Sequence, residues 1–263
     1  AKVNLGLNIV SKRTDGYHNL ETIFYPIQIQ DALEILLSNK DEDLFIESGI
    51  STGTSLDTNL VMKALQLIRS NYNIPPLEVR LLKKIPFGAG IGGGSADASF
   101  MLKLLNLKFE LGITANDLAK MASQLGADCP FFIHNKPLFA SGIGDLFDEV
   151  ELSLNQYHWV LVNPNIHVST KEAFSLITPH TPAISLKEIV KEPIDSWKLT
   201  MVNDFEKSIF SLYPAVADIK DKLYALGAIY ASMSGSGPSV YAIFDHKTNI
   251  KEHFPHYYVW EQA

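Results

Sequence analysis

The stretch Pro86-Phe87-Gly88-Ala89-Gly90-Ile91-Gly92-Gly93-Gly94-Ser95 runs straight into the helix-favouring sequence Ala96-Asp97-Ala98-Ser99-Phe100-Met101-Leu102 and limits the possible folds more than any other segment. Five glycines lie between positions 88 and 94, a density that disfavours a strand or the interior of a helix. Glycine takes positive φ and lets the backbone approach a ligand closely, while a helix N-terminus offers open N–H groups to an anion. The segment therefore reads as a phosphate cradle rather than as a merely flexible turn.

Two phosphate motifs compete for it. From Gly88 the spacing fits G-x-G-x-x-G through Gly90 and Gly93, with Glu110 near the place of a ribose-binding acid. The Walker pattern G-x-x-x-x-G-K-[ST] fits from Gly88 through Gly93 to Ser95, except that Gly94 holds the lysine position. A lysine for the phosphates then has to come from elsewhere, and Lys2, Lys83 and Lys84 are candidates.

The flanking pattern favours an α+β class. Strands are predicted over 3–10, 20–28 and 32–37, followed by a helix over 58–71 and a strand over 77–82. The helix after the glycine loop is predicted from Ser95 to Leu107, with Ser95 as its N-cap and Asp97 as a carboxylate in its first turn. Thr114 opens a further helix, with Asp117 at its third position and Gly126 as its stop. A hairpin is predicted around 141–145, a strand over 158–162, and a helix from Pro214 to Leu226. Strands over 228–233 and 239–244 flank the turn Ser234-Gly235-Ser236-Gly237-Pro238. Strands grouped with helices in non-alternating order argue against a doubly wound parallel sheet, and so against the dinucleotide reading of the loop.

Charge and cysteine narrow the partners. A formal net charge of -7 over 263 residues disfavours a general nucleic-acid or anionic-membrane binder. Cys129 is the lone cysteine, which excludes an internal disulfide and Cys-x-x-Cys zinc sites. No apolar run reaches the roughly 18 to 20 residues of a membrane span, and a cytoplasmic setting is expected. The chain opens Ala-Lys-Val-Asn without an initiator Met, inside an apolar alternation, so a short preceding piece is expected and Lys2 is not a disposable end.

Four further motifs carry chemistry: Lys2-Val3-Asn4, Arg13-Thr14-Asp15-Gly16-Tyr17-His18, Gly126-Ala127-Asp128 and Gly235-Ser236-Gly237. Singly, Asp128 is a turn former, Asp15-Gly16 a hairpin dipeptide and Gly235 to Gly237 a tight turn. In this order with the glycine loop, they resemble the GHMP kinase superfamily of small-molecule kinases. The 13–18 stretch and Gly126-Ala127-Asp128-Cys129-Pro130-Phe131-Phe132 resemble its branch that phosphorylates a cytidine diphosphate-linked methylerythritol on the non-mevalonate route to isoprenoids.

The resemblance implies a two-domain fold, with a ribosomal protein S5 domain 2-like domain over 1–150 and a ferredoxin-like α+β domain over 151–263. It implies ATP as phosphoryl donor with Mg²⁺ bridging its oxygens; the protein ligands of the ion are open, Ser95 being a candidate through its hydroxyl as well as an N-cap. Asp128 would be the general base, and Lys2 beside it would keep it ionised and stabilise charge. Asn59, Lys83, Pro86, Gly88, Ala89, Gly90, Ile91, Gly92, Gly93, Gly94 and Ser95 would bind ATP, with Asn59 and Lys83 toward the adenosine. Asn4, Tyr17, His18, Phe174, Gly235, Ser236 and Gly237 would bind the alcohol substrate. Tyr17 and Phe174 would stack on cytosine, His18 would bond its polar edge, and the late turn would close on the diphosphate. The rival readings are another kinase of the superfamily, homoserine kinase first, and a non-catalytic nucleotide-binding module or NAD-dependent oxidoreductase.

Overall fold

The computed structural model describes residues 1–51 and 53–262. Along the chain run strands β1 (Lys2–Lys12), β2 (His18–Pro26), β3 (Ala32–Leu37) and β4 (Leu44–Gly49), helix α1 (Leu60–Arg69) and strand β5 (Leu77–Lys83). Helices α2 (Gly93–Lys108), α3 (Ala115–Ser123) and α4 (Cys129–His134) precede strands β6 (Leu138–Ser141), β7 (Leu146–Glu149) and β8 (His158–Asn163). Helices α5 (Thr170–Phe174), α6 (Leu186–Ile189), α7 (Trp197–Thr200), α8 (Phe205–Leu212) and α9 (Pro214–Ala225) lead to strands β9 (Tyr230–Met233), β10 (Val240–Phe244) and β11 (Tyr258–Glu261). Two compact units result: one holds residue 1 with 28–87 and 92–136, the other 2–27, 88–91 and 137–263. The units interleave along the sequence, and the glycine loop contributes residues to both.

The first unit is a three-stranded sheet, ordered β3-β5-β4, with helices over one face. In β5, Leu77, Val79 and Leu81 are buried while Arg80 and Leu82 are exposed, the period of two expected of a half-buried strand. Helix α1 buries Val61, Ala64, Leu65 and Ile68, one stripe at helical spacing. They share a core with Met101, Leu102 and Leu105 of α2. Of the pairs between named strands only β4–β5 is parallel, so the mixed, non-alternating architecture is as expected.

The second unit contains two antiparallel four-stranded sheets, β1-β2-β6-β7 and β11-β8-β10-β9. Strands β8 and β10 are buried along their whole length, and α9, opened by Pro214, packs Val216, Ile219 and Leu223 into the core beside Leu7 and Ile9 of β1. Strand β1 is bulged between Leu5 and Leu7, at Gly6 with φ +65°.

Helix α2 departs from the sequence reading. Its N-cap is Gly92, left-handed at φ 70°, ψ 25°, so Ser95 lies within the first turn rather than at the cap. A glycine can take this dihedral at no steric cost and starts the helix before the serine is reached. Asp97 is also not a first-turn carboxylate; its side chain turns to Lys83. Glu110 sits at φ 50° beyond the helix, and the next element is α3, not a strand, so the βαβ unit of a dinucleotide fold is missing here.

Candidate active site

In the second unit, Lys2 is 3% exposed. Its Nζ donates to Asn4 Oδ1 at 2.7 Å and to the Gly90 carbonyl at 3.5 Å, and lies 4.7 Å from the centre of the Phe24 ring. Lys2 and Asn4 share a sheet face because they are two apart on β1. The Asn4 amide donates to Thr22 Oγ1 at 2.9 Å, and that hydroxyl donates to the Gly6 carbonyl at 2.6 Å. The asparagine orientation is thus set from the neighbouring strand.

Residues 88–91 pack on the late glycine turn. Ser234 Oγ donates to the Gly90 carbonyl at 3.0 Å, and the Lys2 N–H donates to the Ile91 carbonyl at 3.0 Å. A Cβ on Gly90, at φ +75°, would fall against the Ser234 carbonyl oxygen and 2.8 Å from that of Gly237. Within the turn, Gly237 N–H donates to Ser234 O at 3.0 Å, while the Gly235 and Ser236 N–H groups have no acceptor among the described residues. Two adjacent open amides are an anion receptor in miniature.

The Arg13-to-His18 motif forms the β1–β2 hairpin. Asp15 Oδ1 accepts from the Tyr17 N–H at 3.1 Å, Arg13 pairs with Asp15, and Gly16 takes φ +89°. The tip holds Tyr17 61% exposed. His18 stacks on Phe174 at 4.6 Å and 23°, and Phe174 meets Phe205 edge-on at 4.8 Å. Of the three rings expected at the base, His18 and Phe174 are thus brought together, with Phe174 stacked on His18 itself. Burial, aided by Lys12, lowers the His18 pKa below its ordinary value, which favours the neutral ring.

In the first unit, Asp128 immediately precedes α4 and makes no side-chain cap bond to it. Helix α4 is held from α2: Ser99 Oγ donates to the Cys129 carbonyl at 2.7 Å, and Lys103 Nζ donates to Ile133 O at 3.2 Å. Lys83, buried at the end of β5, is gripped by Asp31 and by Asp97 at 2.6 Å. Burial opposes its charge, yet the field of Asp97 and the bonds to both acids raise its pKa. One lysine does not neutralise two carboxylates: burial pushes Asp97 up to about 7 against the pull of Lys83. Asn59 caps α1, accepting from Val61 N–H at 2.9 Å. Among the predicted ATP residues, Lys83 and Asn59 thus have structural partners of their own.

Thr22 and Asp31 support predicted residues but are not singled out by the sequence. A hydroxyl on the neighbouring strand or an acid 52 residues from its lysine leaves no local pattern. Among the described residues, no helix is long and apolar enough to cross a membrane, and no three metal-ligating side chains cluster.

Comparison with known proteins matches two segments of the chain to one family. The GHMP kinases N terminal domain matches residues 59–136, and the GHMP kinases C terminal domain matches 185–258. The chain is 55% identical to 4-diphosphocytidyl-2-C-methyl-D-erythritol kinase of Parabacteroides distasonis, over 99% of this chain and 96% of that one. It is also 55% identical to the enzyme of that name from Bacteroides fragilis, over 95% and 92%. Its structure resembles a crystal structure of 4-(cytidine 5'-diphospho)-2C-methyl-D-erythritol kinase with TM-score 0.84 at 27% identity, covering 99% of this chain and 96% of that one. Homoserine kinase from Cytophaga hutchinsonii shares the fold at TM-score 0.71 and 18% identity, over 100% and 95%.

Proposed function

The chain belongs to the GHMP kinases, among the 4-diphosphocytidyl-2-C-methyl-D-erythritol kinases, and from that premise we infer that it transfers the γ-phosphoryl group of ATP to the 2-hydroxyl of 4-diphosphocytidyl-2-C-methyl-D-erythritol. The observation that carries the reading is Lys2, buried and aimed with Asn4 at the interlocked glycine turns. Phosphoryl transfer asks little covalent chemistry of a protein and much positioning and charge.

Asp128 accepts the proton of the 2-hydroxyl as its oxygen bonds to the γ-phosphorus and the bond to the bridging oxygen breaks, leaving ADP. Lys2 stabilises the negative charge on the attacking side, and Asn4 orients the alcohol. Tyr17 stacks on the cytosine, His18 bonds its edge, and Phe174 backs His18. Gly88 to Ser95 receive the ATP phosphates through backbone N–H groups, and Gly235 to Gly237 the substrate diphosphate. Among the described residues no three metal-ligating side chains cluster; Asp97 is committed to Lys83 and Ser95 lies within the first turn of α2. Mg²⁺ would therefore be carried by the phosphate oxygens, supplying charge neutralisation there. The functional division at 1–150 and 151–263 and a cytoplasmic location complete the proposal.

An ADP-release assay tests it. Release with the cytidine diphosphate-linked alcohol is expected; release with homoserine or mevalonate instead would overturn the assignment. Asp128→Asn should lower kcat by about 10² to 10⁴ while both ligands still bind, and near-normal turnover would remove Asp128 from the base role.

A further inference from the structure

Asn203 is 2% exposed and stands just before α8. Its Nδ2 donates to the carbonyls of Met233 at 2.8 Å and Gly235 at 2.9 Å, and its Oδ1 accepts from the Phe205 N–H at 3.0 Å. The backbone on either side joins β1: Leu7 N–H donates to Val202 O at 2.9 Å, and Asp204 N–H donates to Leu7 O at 2.8 Å. Within Asn203-Asp204-Phe205-Glu206, each polar side chain takes a different target. Asp204 accepts from Ile9 N–H at 2.7 Å, and Glu206 accepts from Met233 N–H at 2.8 Å while pairing with Lys220.

A trans peptide unit is planar, with its C=O and the following N–H pointing in opposite directions. Fixing the Gly235 carbonyl on Asn203 therefore fixes where the Ser236 N–H points. The preceding unit is fixed independently, because its Ser234 carbonyl accepts from Gly237 N–H. The pair of open amides at Gly235 and Ser236 is thus aimed by one bond internal to the turn and one supplied by Asn203. The residue must offer two donors in one plane to two carbonyls, which a carboxamide does and a carboxylate cannot.

We propose that Asn203 is the positioning residue of the late glycine turn, aiming the Ser236 N–H at the diphosphate of the alcohol substrate. The inference rests on the kinase reading above. It predicts a selective defect: Asn203→Ala and the isosteric Asn203→Asp raise KM for the cytidine diphosphate-linked alcohol by about tenfold or more, with KM for ATP within about threefold. KM does not depend on the fraction of active enzyme, so a variant that folds in part still reports. Glu206→Gln serves as the comparison, since it weakens the Lys220 pair and leaves the turn carbonyls held; its melting temperature should fall with KM unchanged. Unchanged KM in the Asn203 variants, a parallel rise for both substrates, or an equal rise in Glu206→Gln would overturn the assignment. Absence of turnover by the wild-type enzyme with this alcohol would instead overturn the kinase reading.

Discussion

Residues 88–91 and 92–95 are one unbroken glycine-rich segment, yet the two halves answer to different constraints. In the first, Gly88 and Gly90 take positive φ and the backbone of Gly90 lies against that of the late turn. In the second, Gly92 caps α2 and Gly93, Gly94 and Ser95 form its first turn. A Cβ at Gly93 would come 2.7 Å from Ile85 Cγ2, whereas at Gly94 the nearest atom is Leu60 Cδ1 at 3.7 Å. Glycine at 90 and 93 is thus required by the protein's own packing. At Gly94 packing leaves room, and a close-approaching ligand becomes the better reason for the residue.

Substitutions can break this contrast. Gly90→Ala should be the most damaging, combining a left-handed strain with backbone overlap for about 2–5 kcal/mol of destabilisation; urea titration would show it, and a near-native midpoint would refute the interlock. Gly93→Ala should cost about 1–2 kcal/mol, because the Ile85 side chain can yield where a carbonyl cannot. Gly94→Ala should leave stability unchanged or raise it by about 0.5 kcal/mol, as alanine does in a helix. Its expected effect is on KM for ATP, which should rise; an unaltered KM would assign Gly94 no ligand contact.

The base of the second half offers a pH test. Asp97 lies near 7 in the folded chain against an ordinary 3.8, so the folded chain holds more protons between these values. Its contribution to stability is then complete at the acid end and lost as pH rises through about 7. Asp97→Asn should flatten that decline, seen by comparing denaturation at pH 5 and pH 8. Parallel profiles for wild type and variant would contradict the sharing of one lysine by two acids.

Much of the architecture was legible because its signals are local. Thr114 accepts from Asp117 N–H as a cap, Pro214 opens α9, and Asp15-Gly16 turns the first hairpin. The helix start after the loop was misread because serine capping was preferred to a left-handed glycine. Helix α8 is not among the predicted elements, and its Glu206 is buried among partners 14 to 27 positions away, which no local pattern shows. For the candidate site, the sequence offers residue types but not the partners that hold them. Nothing near Lys83 in sequence announces Asp31, and nothing near Gly235 announces Asn203.

The bulge at Gly6 has a consequence for the reading frame of β1. Before it, the face opposite Phe24 carries Lys2 and Asn4; after it, the same face, opposite Thr22 and Leu20, carries Leu7 and Ile9. One inserted residue thus lets a single strand present a polar pair at one end and core at the other, although an unbroken alternation would have continued with Gly6 and Asn8. Deleting Gly6 would not shorten the strand so much as invert it. Either Leu7 and Ile9 would turn out of the core, or Lys2 and Asn4 would turn away from the glycine turns, so chemistry and folding are phased by the same residue.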